Sequence, residues 1–329
     1  MARASEDDLI ARHFAPLAGK GGLGLRDDAA EYAPTPGHDL VLTADALVAG
    51  VHFLPDDPPR SIGVKALGVN LSDLAAKGAT PVGFLLALAL PDSWTEEWLA
   101  AFCEGLGAIS SSAGCALLGG DTVRAAGPLT LSITALGEVP AGRMVRRTTA
   151  RPGDLICVTG SIGDAVLGLA LLGSEQPVWR SGLATRDAGF LIDRYREPQP
   201  RGGLAEALRD LANAAMDVSD GLAGDVSKML RASGVGGVID LDRVPWSGAA
   251  AAVLAQAPEF RDRLVAGGDD YEILFTLPET GLPAMRQRSA EAGIPITVIG
   301  RVMDGDSAIT FRDGGLEHRL GQTSYQHFR

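Results

Sequence analysis

The spacing of apolar residues predicts helices and strands that alternate along the chain. Leu67, Leu71 and Leu74 recur at the spacing of one buried helix face within residues 59–77, whereas the apolar run at 80–90 indicates a buried strand. Further helices are expected at residues 5–17, 93–113, 184–195, 204–212, 226–233, 249–257 and 283–293. Further strands are expected at residues 39–44, 116–118, 129–138, 154–159, 237–241, 297–301 and 309–311. The pattern therefore predicts a folded chain of mixed helices and strands.

A basic segment at residues 140–152 divides the chain into two parts. Its arginines are Arg143, Arg146, Arg147 and Arg151. They are either solvated linker residues or bidentate contacts to a phosphate. Because 329 residues are long for one hydrophobic core, two domains are expected. We place them at residues 1–140 and 150–329, with the basic segment as their connection.

The charge of the chain narrows the class of partner. A net charge of −12 argues against nucleic acid as the main partner, since no basic run could release its phosphate counterions, and against anionic membrane surfaces. The N-terminus has no apolar signal core, and the longest apolar run, at 84–90, is too short to span a bilayer. Cys103, Cys115 and Cys157 lie among apolar residues without metal-binding spacing. We expect reduced, buried thiols and a cytoplasmic protein.

Six aspartates share a setting at a predicted strand end or helix start. They are Asp28, Asp45, Asp73, Asp121, Asp217 and Asp220. If they converge, their mutual repulsion requires cations, and all-oxygen ligation favours Mg²⁺ completed by substrate phosphates. For Asp217 and Asp220 the alternative is structural: Ser219 or Asp220 caps the following helix and Asp217 lies in solvent. No Ser-His-Asp or Cys-His pair is evident, so covalent catalysis is not favoured.

Several glycines and one histidine give weaker indications of a ligand-binding site. Gly119 and Gly120 before Asp121 either let main chain approach a bulky ligand or form a plain turn. His52 lies in an apolar setting, where a packed histidine is more common than a catalytic one. The glycine-rich segment 19–24 lacks the Walker A pattern, so no P-loop is expected.

The aspartate motifs occur in a fixed order. They are Arg-Asp-Asp28-Ala, Thr43-Ala-Asp45, Asn-Leu-Ser-Asp73-Leu-Ala, Leu-Gly-Gly-Asp121-Thr, Met-Asp217-Val-Ser-Asp220-Gly-Leu and Gly-Gly-Asp-Asp-Tyr-Glu272. In this order they resemble the thiamine-monophosphate kinase family over nearly the full chain. The resemblance implies transfer of the ATP γ-phosphate to thiamine monophosphate, with several Mg²⁺ ions and no phospho-enzyme.

The resemblance also implies a fold and a set of site residues. The fold is α/β (α+β) with two domains, shared with aminoimidazole ribonucleotide synthetase and selenophosphate synthetase, and it dimerises through the N-terminal ATP- and Mg²⁺-binding domain. The implied metal ligands are Asp28, Thr43, Ala44 through its main chain, Asp45, Asp73, Asp121, Asp217 and Asp220. The implied ATP contacts are Gly120, Asp121, Arg147 and Ser219. The implied contacts to thiamine monophosphate are His52, Asp269 and Tyr325.

Three departures from the family pattern are present. Arg26 replaces a glycine before the first Asp-Asp pair, Ala44 removes a hydroxyl, and Asp269 is one methylene shorter than the usual glutamate. Two alternatives stay open: a related ATP-dependent enzyme of purine synthesis, and a non-catalytic nucleotide-binding protein. The stretch after His52 favours the thiamine reading over the purine one. The absence of cysteine before Cys103 counts against selenophosphate synthetase.

Overall fold

The computed structural model describes residues 5–305, 308–321 and 323–324. The chain forms two compact units, each with its own sheet. The first unit comprises Met1–Leu74 and Ala79–Arg143, and the second comprises Ala75–Gly78 and Met144–Arg329. Among the described residues we find no helical segment that combines the length and the apolar character of a membrane span.

The first unit combines helices with a mixed sheet. Its helices are α1 (Glu6–Leu9), α2 (Pro59–Ala76, whose last residues belong to the second unit) and α3 (Glu96–Ala113). Its strands are β1 (His38–Val48), β2 (Thr80–Leu90), β3 (Ala116–Arg124) and β4 (Thr130–Pro140). The strand order is β1-β4-β2-β3, with β2 and β3 parallel and the other pairs antiparallel. The apolar run that predicts a strand at 80–90 is β2.

Local signals set the ends of α3, and burial explains α2. The Thr95 hydroxyl accepts the N–H of Trp98 at 3.1 Å, which caps the start of α3. Gly114, with φ +62°, ends it in the left-handed conformation that glycine tolerates. Nearly all of residues 61–76 are buried, so α2 lies in the interior and is apolar around most of its circumference.

Strands β1 and β3 are longer than the sequence predicts. β1 pairs with β4 from His38 to Val48, so Asp45 lies inside the strand, opposite Ile133, and not at its end. β3 pairs with β2 as far as Arg124, so Gly119–Asp121 lies within a strand and forms no turn. The predicted ends are wrong because the neighbouring strands supply hydrogen-bonding partners that local composition does not reveal.

The second unit contains a larger sheet covered by helices. Its helices are α4 (Asp164–Leu172), α5 (Thr185–Arg196), α6 (Ala205–Leu211), α7 (Leu222–Ser233), α8 (Gly248–Gln256), α9 (Arg261–Ala266) and α10 (Leu282–Ala292). Its strands are β5 (Leu155–Thr159), β6 (Ala214–Val218), β7 (Gly236–Asp240), β8 (Glu272–Leu277), β9 (Ile296–Met303), β10 (Ile309–Asp313) and β11 (Leu316–His318). The strand order is β11-β10-β7-β9-β5-β8-β6. β7 and β10 are parallel, and the other pairs are antiparallel.

Strand β6 is buried on both faces, although it lies at the edge of the sheet. Met216 and Val218 belong to the hydrophobic cluster that includes Met229 of α7. Ala215 belongs to the cluster on the opposite face, with Leu208 of α6. Asp217 alternates with the first pair and therefore projects to the face opposite α7.

Candidate functional site

In the first unit, Asp45 and Asp73 form a pair of neighbouring carboxylates. The Thr43 hydroxyl donates to Oδ2 of Asp73 at 2.5 Å, and both aspartates are half-buried. Burial, with a smaller contribution from the charge of Asp73, raises the pKa of Asp45 to about 6. Two partly buried anions without a cation between them repel each other. The chemistry of Thr43, Asp45 and Asp73 therefore fits a hard divalent cation.

A second group of predicted residues lines one cavity of the first unit. The cavity has a volume of about 590 Å³ and is bounded by the glycine-rich segment and by strands β2 and β3. Asp28, Gly120 and Asp121 contribute to its wall, and both acids are exposed. A Cβ atom on Gly120 would overlap the carbonyl oxygen of Leu86, so the close approach of β2 requires glycine there. The cavity brings three of the predicted residues to one place.

His52 has one ring nitrogen occupied by the main chain. The N–H of Val48 donates to Nδ1 of His52 at 3.0 Å, and the N–H of His52 donates to the carbonyl of Val48, also at 3.0 Å. Because Nδ1 is an acceptor, the neutral imidazole carries its proton on Nε2. In this tautomer Nε2 is the hydrogen-bond donor of the half-buried ring.

In the second unit, the segment between β6 and α7 carries Asp217, Ser219 and Asp220. The capping alternative places Asp217 in solvent. This part of it is wrong, because Asp217 is only 8% exposed. Helix α7 begins at Leu222, and its N-cap is Gly221 without a side-chain hydrogen bond, so the predicted cap by Ser219 or Asp220 is also wrong.

The carboxylate of Asp225 shapes that segment instead. Oδ2 of Asp225 accepts the N–H of Ser219 at 3.1 Å and that of Asp220 at 3.0 Å. Asp225 is fully buried, and burial raises its pKa. Sequence reasoning missed this residue because its role depends on where α7 begins. An acid in the first turn of a helix, shortly after a glycine, is the signal that points to it.

Asp220 has a cationic partner, Lys228. Nζ of Lys228 lies 2.5 Å from Oδ2 of Asp220 and 2.9 Å from Oδ1 of Asp225. Burial alone would lower the pKa of Lys228, but the hydrogen bonds to both carboxylates raise it on balance. At the predicted metal ligand Asp220, an ammonium group is therefore already in contact with the carboxylate.

Asp269 lies on a loop that is hydrogen-bonded to the same segment. Its N–H donates to the carbonyl of Ser219, and the N–H of Tyr271 donates to the carbonyl of Val218, both at 2.9 Å. Asp269 and Tyr271 have φ values of +71° and +49°, which non-glycine residues seldom adopt. A Cβ on Gly268 would overlap the Ser219 carbonyl oxygen. The loop is therefore closely fitted against the end of β6.

A buried ionic network supports this loop from inside the unit. Glu272 accepts hydrogen bonds from Arg194 at 2.8 Å and from Arg201 at 2.6 Å, and it also accepts the Thr159 hydroxyl at 2.7 Å. Asp270 is 1% exposed, and burial raises its pKa well above the usual range. Both acids belong to the Gly-Gly-Asp-Asp-Tyr-Glu272 motif, but the sequence alone gives no role to Asp270 or Glu272.

The remaining predicted residues are less constrained. Arg147 is exposed, Ala44 is exposed on β1, and Tyr325 lies outside the described residues. Over the described part of the chain, no group of three or more His, Cys, Asp or Glu residues is arranged to hold a metal ion. In the first unit the predicted acids come together in pairs. Asp45 lies near Asp73, and Asp28 lines the same cavity as Asp121.

Two family matches cover most of the chain. Residues 26–139 match the family AIR synthase related protein, N-terminal domain, and residues 151–312 match AIR synthase related protein, C-terminal domain. The structure is also similar to AaThiL complexed with AMPPCP and TMP, with a TM-score of 0.76, 29% identity and coverage of 100% of this chain and 99% of that one. The predicted two-domain α/β (α+β) fold is confirmed.

Individual relatives narrow the family further. The chain is 40% identical to the thiamine-monophosphate kinase of Salmonella typhimurium over 326 residues, which cover 98% of each chain. It is 39% identical to the thiamine-monophosphate kinase of Stenotrophomonas maltophilia K279a, whose crystal structure superposes with a TM-score of 0.83 and coverage of 95% of this chain and 96% of that one. The resemblance seen in the aspartate motifs is confirmed, and the chain belongs to the thiamine-monophosphate kinase family within the AIR synthase related proteins.

Proposed function

We propose that the chain transfers the γ-phosphate of ATP to thiamine monophosphate, giving thiamine diphosphate and ADP. The observation that carries the proposal is the hydrogen bond from the Asp269 N–H to the Ser219 carbonyl, at 2.9 Å. It holds the proposed substrate residue beside the proposed ATP residue. The similar AaThiL structure contains AMPPCP, an ATP analogue, together with TMP, which supports the same pair of ligands here.

The reaction makes modest demands on acid–base chemistry. The acceptor is a phosphate oxygen that is already anionic, so positioning and neutralisation of charge matter more than a general base. His52 would donate from Nε2 to the phosphate of thiamine monophosphate. The N–H of Ser219 is bonded to Asp225, so Ser219 would contact ATP through its hydroxyl group. Arg147, which is exposed, would bind a phosphate of ATP bidentately.

Mg²⁺ is the cation that the oxygen donors of this chain fit best. Thr43, Asp45 and Asp73 would hold it in the first unit, where burial and the neighbouring charge of Asp73 raise the pKa of Asp45. Asp28 and Asp121 would add ligands at the cavity, and Ala44 would contribute through its main chain. Asp217 and Asp220 would do so in the second unit. When bound, Mg²⁺ neutralises the charge of the phosphates during transfer.

The experiment is incubation of the purified chain with ATP, Mg²⁺ and thiamine monophosphate, followed by chromatography of thiamine diphosphate and ADP. We expect both products in equal amounts, and no product at any Mg²⁺ concentration would refute the proposal. Thiamine and a purine-pathway substrate serve as parallel acceptors. ADP release with the purine substrate alone would indicate the related ligase, and ATP binding without turnover would indicate a non-catalytic protein.

We further propose a homodimer formed through the sheet of the first unit. One face of that sheet exposes Leu42 by 61%, Leu85 by 40% and Val123 by 49%. Pairing of Leu42 with Leu136, and of Leu85 with Thr134, shows that their side chains point to the same side of the sheet. A second copy of the same face would cover these residues, since exposed apolar patches on a sheet mark interaction sites.

A cytoplasmic location stays a prediction from the cysteines. Cys103, Cys115 and Cys157 are free and buried. Burial raises the pKa of each thiol to about 12, so the unreactive thiol form dominates. Free, protected thiols suit a reducing compartment. Fractionation of the source cells would test the location.

A further inference from the structure

Lys228 lies in a defined position between two carboxylates. Its ammonium group contacts Asp220 at 2.5 Å and Asp225 at 2.9 Å, and its side chain is 39% exposed. Asp225 is fully buried on the first turn of α7, three residues before Lys228. The ammonium group is therefore anchored from below by a buried residue, unlike a typical surface ion pair between two mobile side chains.

The same carboxylate also fixes the backbone beside the ammonium group. Oδ2 of Asp225 accepts the N–H groups of Ser219 and Asp220, while Oδ1 accepts from Lys228. Asp225 thus sets the position of the Asp220 backbone and that of the Lys228 ammonium group together. The contact between Asp220 and Lys228 follows from this shared support.

We propose that Lys228 is a positioning residue whose ammonium group holds the carboxylate of Asp220 and neutralises its negative charge. A divalent cation then binds Asp220 only when the ammonium group moves away. The proposal rests on the metal-binding role of Asp220 within the proposed function. An ammonium group in contact with Oδ2 takes up an acceptor position of that oxygen and repels a second cation nearby. Asp220 is therefore a weak cation ligand as long as Lys228 stays in place.

A nucleotide phosphate offers Lys228 a different partner. Lysine binds phosphate oxygens as a compact charge on a flexible stem, and the partly exposed side chain has room to turn. Ser219, the proposed ATP contact, is adjacent to Asp220 in the chain. Binding of ATP would draw the ammonium group from Asp220 and release the carboxylate for a cation. Cation binding at Asp220 is then coupled to nucleotide binding.

The test is a titration of the nucleotide-free protein with Mn²⁺ alone, followed by the electron paramagnetic resonance signal of free Mn²⁺. Lys228→Met should bind Mn²⁺ about tenfold more tightly than wild type, because one repelling charge is gone. Lys228→Gln keeps a donor for Asp225, should fold as wild type does, and should show the same gain. Thermal unfolding identifies the folded variants.

A double variant assigns the gain to one carboxylate. Lys228→Met with Asp220→Asn should return the Mn²⁺ affinity to the level of Asp220→Asn alone. Unchanged or weaker Mn²⁺ binding in the folded Lys228 variants would overturn the proposal, as would a gain that persists without the Asp220 carboxylate. Neither ATP nor thiamine monophosphate is present, so the outcome does not depend on whether the chain phosphorylates thiamine monophosphate.

Discussion

Both carboxylate oxygens of Asp270 accept the backbone N–H of Gly163, at 3.0 and 2.8 Å. Gly163 is the N-cap of α4 and has φ +81°. Asp270 follows Asp269 directly, so this contact ties the start of α4 to the loop that carries the proposed substrate residue. The position of Asp269 thus depends on a buried interaction that does not involve the Asp269 side chain.

Replacement of Asp270 should separate the loss of this acceptor from the loss of charge. Asp270→Ala leaves the Gly163 N–H without its partner and should lower the free energy of unfolding by about 2 kcal/mol. Asp270→Asn keeps one acceptor oxygen and should cost clearly less. Urea denaturation measures both, and equal losses would contradict the assigned role. In the Ala variant we also expect the KM for thiamine monophosphate to rise several-fold more than the KM for ATP.

The adjacent glycines of β3 form a matched pair for a packing test. A Cβ at position 120 would overlap the Leu86 carbonyl oxygen, whereas one at position 119 would meet the Leu85 side chain at an ordinary 3.5 Å. We expect Gly120→Ala to lower the free energy of unfolding by about 2 to 3 kcal/mol. Gly119→Ala should change it by well under half of that. A comparable loss in both variants would show that the strand adapts to either side chain.

The raised pKa of Asp45 predicts that the stability of the metal-free protein depends on pH. Its pKa in the folded protein is about 6, above the 3.8 of an unperturbed carboxyl, so the folded state holds more protons than the unfolded state between these values. Stability then falls as the pH rises from about 4 to 6.5, by about 2 kcal/mol from this group.

The measurement compares wild type with Asp45→Asn in urea at several pH values, with EDTA present. The variant cannot titrate at this position, so it should gain about 2 kcal/mol on wild type between pH 4 and pH 7. Parallel pH curves for the two proteins would argue that Asp45 has an ordinary pKa and is not part of a repelling pair.

The proposed dimer predicts the effect of one charge on the exposed sheet face. Leu42→Glu should convert a dimer into a monomer in sedimentation equilibrium, because burial of an unpaired carboxylate in an interface is costly. Val178→Glu is the control, since Val178 is 94% exposed and lies in the second unit. A wild-type chain that sediments as a monomer would rule out the interface directly.

Much of the fold follows from local sequence patterns. The apolar run of β2 coincides with the strand at Thr80–Leu90, and Gly114 ends α3 just after the predicted helix. The ends of β1 and β3 do not follow, because residues such as Asp45 and Gly120 are held in strands by their neighbours, β4 and β2. Hydrogen bonds between distant segments cannot be predicted from the composition of adjacent residues.

The site shows the same division between local and distant effects. The aspartate motifs identify the family, because each motif is a short continuous segment and the motifs occur in a fixed order along the chain. The partner of Asp220 required the structure, because Lys228 reaches it only after α7 has begun at Leu222 and brought the side chain back over the turn. The support of Asp269 by Asp270 and Gly163 joins segments more than a hundred residues apart.

The attachment of the Asp269 loop has a consequence for the redesign of substrate choice. The loop is held by main-chain hydrogen bonds to Ser219 and Val218, and these do not depend on which side chain stands at position 269. That side chain can be exchanged while the backbone keeps its place, within the small set of residues that tolerate a left-handed conformation, such as Asn or Gly. Because Asp269 is the proposed contact to thiamine monophosphate, position 269 is a natural place to vary the acceptor at low cost to folding.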